Sequence, residues 1–270
     1  MSAGRLPCKV RVQHWLKDHC VGERIVLPAV ETLLFLAEQC AANHPEADIR
    51  VMEEARFGKF LEVPPAVPDL PVLVEEEVCG DGRIRMKLAS LVRFKAASRI
   101  KEHGDVTFSA GSFPGDIPVV DPAPPGKPAA EVDAQYLYRH LVPFGSNYHT
   151  LQDTLLLTER GAWGRIEAPA LPFSYAVQEQ LGSPFPLDGA MHAACVLGQR
   201  LVDFVPFPVG FARRIVNRPT QPGKSYLTRA TLICKTRDEL MFDLEIFSHQ
   251  GEVFETVETL RMRDVGAFKK

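Results

Sequence analysis

Two stretches of this sequence decide how the chain folds, and each joins an ionisable residue to an apolar helix. The first is WLKDHCVGERIVLPAVETLLFLAEQCAA, residues 15–42, in which His19 precedes a long apolar run that begins at Pro28. The second is LDGAMH, residues 187–192, in which Asp188 opens another apolar run. A helix start carries unpaired N–H groups and a positive partial charge, so it is a good place to assemble a base, an acid and an anion site. Two such units predict a duplicated fold with one active site between its halves.

The composition is that of a globular protein, with 270 residues, 46% hydrophobic and 24% charged, and a net charge of −3. No basic stripe dominates, so we expect no nucleic-acid partner. No apolar run approaches the roughly 18 residues that span a membrane, and the first residues lack a signal-peptide pattern. The six cysteines are scattered without a Cys-x-x-Cys pair. This usage predicts reduced thiols and a cytoplasmic protein that does not enter membranes.

Helix and strand patterns repeat along the chain. Proline suits the first turn of a helix, and we predict one buried helix from Pro28 to about Ala42 and another from Leu187 to about Val202. A hairpin over 153–167, turning near Gly161, is expected before the second helix. Alternating or apolar runs predict further strands at 72–78, 83–94, 106–113, 225–235, 240–249 and 252–263, the last two meeting in a turn at 250–251.

A proline-rich stretch separates the two halves. Residues 114–133 contain six prolines and few large apolar side chains, a composition typical of a semi-extended linker. We therefore predict an N-terminal unit over 1–115, a linker over 116–133 and a C-terminal unit over 134–270. Each unit holds one long buried helix and a mostly antiparallel sheet, which favours the α+β class over parallel βαβ units.

Four short motifs within this plan resemble those of the dehydratase domains of polyketide synthases and related fatty-acid synthases. The family's first motif, His-x-x-x-Gly-x-x-x-x-Pro, is matched by His19 to Pro28. Glu23 stands where the family has glycine, and Gly22 lies one position earlier. The resemblance covers nearly the whole chain, from about residue 10 to residue 263.

The other three motifs follow in the family's order. Gly-x-x-Tyr-Gly-Pro is half kept, as Gly145 and Tyr148 followed by His149-Thr150. Asp-x-x-x-His is matched by Asp188 and His192. The segment FPVG, residues 207–210, is similar to the family's Leu-Pro-Val. Each motif alone is weak, but four in order are fairly specific.

The resemblance implies a double hot-dog fold, in which two antiparallel sheets each wrap a long buried helix. It also implies dehydration of a 3-hydroxyacyl thioester to a 2-enoyl thioester, without a metal or nucleotide cofactor. The substrate would be carried on the phosphopantetheine of an acyl carrier protein or synthase module. Whether the protein forms a homodimer is left open. The implied catalytic residues are His19, Asp188, His192 and Tyr148, and the implied substrate-binding residues are Gly22, Glu23, Pro28 and Gly145.

The chemistry of these side chains suits such an elimination. A neutral imidazole at His19 would take the C2 proton. Asp188 would protonate the departing hydroxyl, provided that burial raises its pKa enough to keep it protonated. The helix N-terminus opposes that shift by favouring the carboxylate. Tyr148 would bond the substrate hydroxyl, His192 would orient Asp188, and a backbone N–H at Gly22 or Glu23 would bind the thioester oxygen.

Several alternatives remain open at this stage. A product-template cyclase or a double-bond isomerase would use the same His/Asp pair, and a non-catalytic acyl-binding member of a synthase complex would use neither. His19 and Tyr148 could be ordinary core residues, and Asp188 could be an N-cap. Three weaker ideas are a nucleophile at Cys20, a metal site at Cys40 and His44, and carrier docking at Arg213, Arg214, Arg218 and Lys224. An acyl tunnel between the helices would be lined by residues such as Leu33, Phe35, Val196 and Leu197.

Overall fold

The computed structural model describes residues 4–93, 98–110, 115–124 and 126–266. The helices are α1 (Ala29–Asn43), α2 (Ala134–His140), α3 (Gln178–Leu181) and α4 (Phe185–Gln199), with 3-10 turns at His14–Asp18 and Ser146–Tyr148. The strands are β1 (Arg5–Arg11), β2 (Cys20–Val21), β3 (Arg24–Ile25), β4 (Asp48–Phe57), β5 (Asp69–Val78), β6 (Ile84–Arg93), β7 (Ser98–Ser109), β8 (Ala130–Asp133), β9 (Leu151–Leu157), β10 (Gly161–Glu167), β11 (Phe207–Val216), β12 (Ser225–Lys235), β13 (Glu239–Phe247) and β14 (Val253–Arg263). Two predicted strand ends, Phe94 and Phe113, lie outside the described residues.

One long antiparallel sheet organises the described part of the chain. Twelve strands pair in the order β1-β5-β6-β7-β4-β11-β14-β13-β12-β10-β9-β8. The first five come from one half of the sequence and the other seven from the second half. The double hot-dog expectation is met with one difference, since the two sheets are joined edge to edge. The join is the pairing of β4 with β11, in which Ala55 lies opposite Phe211.

Each half of the sheet curves around one apolar helix, as expected. Helix α1 packs on β4, β6 and β7, whereas α4 packs on β9, β10, β12 and β13. The residues of α4 from Phe185 to Gly198 are all buried, so packing rather than a polar face holds this helix in place. The two helices also contact each other. None of the helices in the described ranges is long and apolar enough to cross a membrane.

The predicted linker lies along the second half of the sheet. Val119 forms an isolated bridge with Glu252, and Trp163 donates its indole N–H to the carbonyl of Pro122 at 3.1 Å. Residues 130–133 form β8, which pairs with β9 at the sheet edge. The chain therefore regains regular structure three residues before the predicted linker ends, and the unit boundaries stay a prediction.

A buried ion pair lies next to the join between the halves. Arg214 on β11 donates from Nε to Glu255 on β14 at 2.7 Å, and both side chains are almost fully buried. Arg214 also approaches the sulfur of Met52 on β4. The guanidinium of Arg214 thus lies in the protein interior. The prediction that Arg214 belongs to a carrier-docking surface is therefore wrong. Arg218 is paired as well, with Glu252 at 3.0 Å on the surface.

We predict that Glu255→Ala lowers the free energy of unfolding by about 3–5 kcal/mol, because it leaves a buried guanidinium without its anion. Urea unfolding followed by circular dichroism measures this. Glu252→Ala is the matched control, since its pair with Arg218 is about half exposed and exposed pairs contribute at most about 1 kcal/mol. Equal losses in the two variants would contradict the prediction.

Candidate active site

His19 lies just after the first 3-10 turn, at the entrance to the β2–β3 hairpin. Its backbone N–H donates to Leu16, and its carbonyl accepts from Val26. The ring atom Nδ1 is 3.0 Å from the carbonyl oxygen of Val26. Because a carbonyl can only accept, Nδ1 carries the hydrogen, and Nε2 is left with its lone pair. The ring stacks on Phe144, with centroids 4.3 Å apart. The ring of His19 is therefore fixed in orientation, and its Nε2 lone pair is able to accept a proton.

The residue before His19 is clamped by the second half of the chain. Asp18 accepts two hydrogen bonds at Oδ2 from Asn147, from the backbone at 2.9 Å and from the side-chain amide at 2.7 Å. Its carbonyl accepts from the N–H of Gly145 at 2.8 Å. A Cβ atom on Gly145 would come within 2.5 Å of the Asp18 carboxyl carbon. Gly145 is thus required by the close approach of Asp18, and the clamp ties the His19 loop to the other half.

Asp188 lies in the first turn of α4. The helix begins at Phe185, and the N–H of Asp188 already donates to Pro184, so the N-cap alternative is wrong. Its carboxylate oxygen Oδ2 is 3.0 Å from Nε2 of His192. Neither atom has a well-aligned hydrogen-bond partner within the described residues. Both side chains are buried, at 6% and 4% exposure. One turn of helix thus places an imidazole directly beside a buried carboxyl, as expected from the spacing.

A third polar group backs His192. The hydroxyl of Tyr138 on α2 lies 3.3 Å from Nδ1 of His192 and 3.4 Å from the hydroxyl of Thr150. It also accepts the N–H of Leu151 at 2.8 Å. Sequence reasoning missed Tyr138, because neither its short helix nor its spacing from Asp188 marks it in the sequence.

Burial and the neighbouring rings shift the acid–base properties of both main residues. Loss of hydration lowers the pKa of His19, although Asp188 opposes this shift by favouring the imidazolium. Burial raises the pKa of Asp188, but the neighbouring His192 and His19 rings outweigh it, and the net shift is downward. Burial alone therefore does not keep Asp188 protonated in the free protein, and its role as the acid stays a prediction.

His19, Asp188 and His192 all face one cavity of about 110 Å³. Its wall is mainly apolar, with Leu27 from the first half and Phe144 from the second. It lies where the two halves meet, so each half contributes one of the two main polar groups. The wall also includes the ring of His103, which sequence reasoning did not single out.

His103 is held at both ring nitrogens. Nδ1 lies 2.8 Å from the carbonyl of Lys59, and Nε2 lies 2.8 Å from the hydroxyl of Ser90. The pairing of β6 with β7 shifts register next to it, between Leu88 and Ala89, and such a bulge can turn a side chain toward a cavity. The sequence pattern does not show this bulge. The orientation of His103 toward the cavity could therefore not be predicted from the sequence.

The remaining implied residues do not line this cavity in the described structure. Tyr148 is buried beside His19, with ring centroids 5.1 Å apart. Its hydroxyl has no hydrogen-bond partner within the described ranges, and burial raises its pKa well above the usual value. Gly22 and Glu23 form the exposed turn between β2 and β3, where Gly22 has a positive φ of 64°. Pro28 caps α1. The substrate-binding roles of these residues and of Gly145 stay predictions.

The expected tunnel lining, the metal site and the nucleophile at Cys20 can also be compared with the structure. The four expected tunnel residues Leu33, Phe35, Val196 and Leu197 belong to the hydrophobic core and not to the cavity wall, so that assignment was wrong. Within the described ranges, no group of three or more side chains could hold a metal ion, and His44 pairs with Glu76 at 2.7 Å instead. The thiol of Cys20 donates to the carbonyl of Lys17.

Comparison with known proteins gives likeness of structure alone. No protein-family model matches the sequence, and no curated protein matches it. A dehydratase domain of a trans-AT polyketide synthase from Brevibacillus brevis superposes with a TM-score of 0.75 at 14% identity, over 98% of this chain and 95% of that one. The dehydratase domain of a mycocerosic acid synthase-like polyketide synthase gives a TM-score of 0.73 at 14% identity, over 97% and 92%.

A dehydratase domain from the curacin polyketide synthase is similar to the same degree. Its TM-score is 0.73 at 16% identity, and the match covers 96% of this chain and 92% of that one. In all three cases the likeness spans both hot-dog units. The chain therefore has the double hot-dog fold of polyketide synthase dehydratase domains.

Proposed function

We propose that this protein removes water from a 3-hydroxyacyl thioester to give a 2-enoyl thioester. The observation that carries the proposal is that His19 and Asp188, one from each half, face the same apolar cavity. A base and an acid at one apolar cavity suit an elimination, in which one proton leaves carbon and another joins the departing hydroxyl. The likeness to dehydratase domains supports the same reaction class.

The proposed elimination assigns one proton to each residue. Nε2 of His19 takes the proton from C2, and Asp188 gives its proton to the hydroxyl at C3. The C–O bond breaks, water leaves, and the C2–C3 double bond forms. The imidazolium at His19 and the carboxylate at Asp188 then exchange a proton, which restores the starting pair. No electrons are gained or lost, so no redox partner is needed.

The directions of the two pKa shifts indicate how His19 and Asp188 are protonated before the substrate binds. Both pKa values are lowered in the free protein, so at neutral pH both groups are largely unprotonated. The reactive form has a neutral His19 and a protonated Asp188, and it carries one proton more. That form is a minor population, and binding of an apolar chain enlarges it by removing the remaining water around the carboxyl.

The proposed substrate is carried on a phosphopantetheine arm of an acyl carrier protein or synthase module. The solved dehydratase domains that superpose on this chain above come from polyketide synthases, which supports such a context. We also propose that the enzyme is soluble and cytoplasmic and uses no metal or nucleotide cofactor. Three experimental outcomes would replace the dehydratase proposal. They are cyclisation, double-bond isomerisation and acyl binding without turnover.

Turnover by mass spectrometry tests the reaction. We expect wild type to remove one water molecule from 3-hydroxyacyl chains, both on a pantetheine mimic and on a carrier protein. His19→Ala and Asp188→Asn should lose about 10²–10⁴-fold in rate, because each removes one proton-transfer partner. His249→Ala is the control, since His249 is exposed and outside the cavity. If the 3-hydroxyacyl chains lose no water but a supplied 2-enoyl thioester is converted to its 3-enoyl isomer, the protein is an isomerase, and binding without turnover points to an acyl-binding protein.

The pH dependence of kcat/KM tests which protonation state of His19 and Asp188 is reactive. We expect kcat/KM to fall with rising pH above an apparent pKa that lies below the ordinary histidine value of about 6.5, because deprotonation of the pair removes the acid. On the acid side it should fall again as His19 becomes protonated. Burial raises the pKa of nearby Glu31 to about 7, so Glu31→Gln identifies any contribution from that carboxyl. A plateau that extends well above neutral pH would contradict this order of protonation.

NMR titration checks the coupling without any substrate. In Asp188→Asn we expect the pKa of His19 to fall further, because the carboxylate that stabilises its charged form is gone. His103 is the internal reference, since its pKa is lowered by burial and by nearby lysines and does not depend on Asp188. An unchanged or raised pKa of His19 would show that the two residues do not interact.

A further inference from the structure

One stripe of α4 forms a continuous side of the cavity. Asp188, Met191, His192 and Cys195 all line it, at helical positions i, i+3, i+4 and i+7. Residues at these spacings share one face of a helix. The cavity wall therefore runs along the axis of α4, away from the acid and toward the C-terminal end of the helix.

Beyond Cys195 this wall closes. Gln199, the next residue on the stripe, donates its amide to the carbonyl of Leu141 at 2.9 Å and lies 3.5 Å from the sulfur of Cys195. At Gly198 the helix touches its neighbours so closely that a Cβ atom would lie 2.8 Å from Pro206 and from Leu240. Cys195 is thus the last side chain of α4 that faces the cavity.

The parts of the cavity wall differ in polarity. Toward Cys195 the wall is made of buried or half-buried apolar groups, including Met191, Val142 and Val205. Other parts of the wall include Gly58 and Lys59, which are exposed, and His103. An alkyl chain is more stable in the first region, and the polar remainder of a thioester is more stable in the second.

We propose that the acyl chain of the substrate lies along α4 from Asp188 to Cys195, and that the volume of the side chain at 195 sets the longest chain accepted. This inference rests on the proposed function, because it takes Asp188 as the group that meets the C3 hydroxyl. Seven residues of helix advance about 10 Å, which an extended chain covers in about eight carbon–carbon bonds of about 1.5 Å. That figure is the length of the wall between the two side chains, and the chain is longest when its terminal methyl group reaches residue 195.

The test compares chain-length profiles of kcat/KM for 3-hydroxyacyl pantetheines. In wild type we expect about a fourfold gain for each added methylene that is buried, the ratio given by about 0.8 kcal/mol per CH₂. The gain should stop at the chain length at which the terminal methyl group reaches residue 195. Cys195→Ala should move that limit to longer chains by one or two carbons, and Cys195→Leu should move it to shorter ones.

Cys40→Ala is the matched control. Cys40 is a buried cysteine on α1 that does not line the cavity, so the same substitution should lower stability without moving the limit. Leu61, which lines the cavity on the side of Lys59, tests the opposite orientation. A limit that moves in Leu61→Ala and not in the Cys195 variants would overturn the proposal. So would equal changes in Cys40→Ala and Cys195→Ala.

Binding separates this inference from the proposed reaction. Saturated acyl pantetheines have no hydroxyl to eliminate, and calorimetry gives their affinity for each chain length. If the Cys195 variants move the length limit of binding while wild type removes no water, the acyl site stands and the dehydratase proposal fails. If water is removed but neither profile responds to residue 195, the reaction stands and this inference fails.

Discussion

The pairing of β4 with β11 is the contact on which the rest of the molecule depends. Each half of the chain wraps a sheet around one apolar helix, and neither half holds both His19 and Asp188. Joining the sheets edge to edge through these two strands brings α1 and α4 together. The His19 loop then meets the start of α4, and the clamp from Asn147 onto Asp18 fixes that loop to the second half. The backbone hydrogen bonds between β4 and β11 thus determine how His19 and Asp188 are placed relative to each other.

The electrostatics of the site follow from this arrangement. Closure of two apolar halves over a carboxyl removes its water, which by itself favours the acid form of Asp188. The same closure brings two imidazoles close to it, and their attraction for the carboxylate outweighs the loss of hydration. The carboxylate is therefore the favoured form in the free protein, and the acid form is the minor one. A ligand that changes the hydration of the cavity can shift that balance, whereas a fully buried or fully exposed pair would respond much less.

Much of this fold could be predicted from residue patterns, and the site only in part. Two apolar runs marked α1 and α4, and turn residues such as Gly251 marked the last hairpin. The resemblance added the pair His19 and Asp188, and the spacing to His192 gave the helical contact. Tyr138 and His103 could not be found, because their roles come from contacts between distant strands and helices. The tunnel lining was missed for a related reason: a helix that is apolar on every side does not reveal which face borders the cavity.

The hydroxyl of Tyr138 determines which nitrogen of His192 carries a hydrogen. Its oxygen already accepts the N–H of Leu151, and its single hydrogen has two acceptors within 3.4 Å, on Thr150 and on His192. When it points to His192, Nδ1 must be the bare nitrogen, and the neutral ring presents its hydrogen at Nε2, beside Asp188. When it points to Thr150, the ring is free to take the other tautomer and to present a lone pair there. One rotation about a C–O bond therefore selects between a donor and an acceptor next to the carboxyl, without movement of any heavy atom.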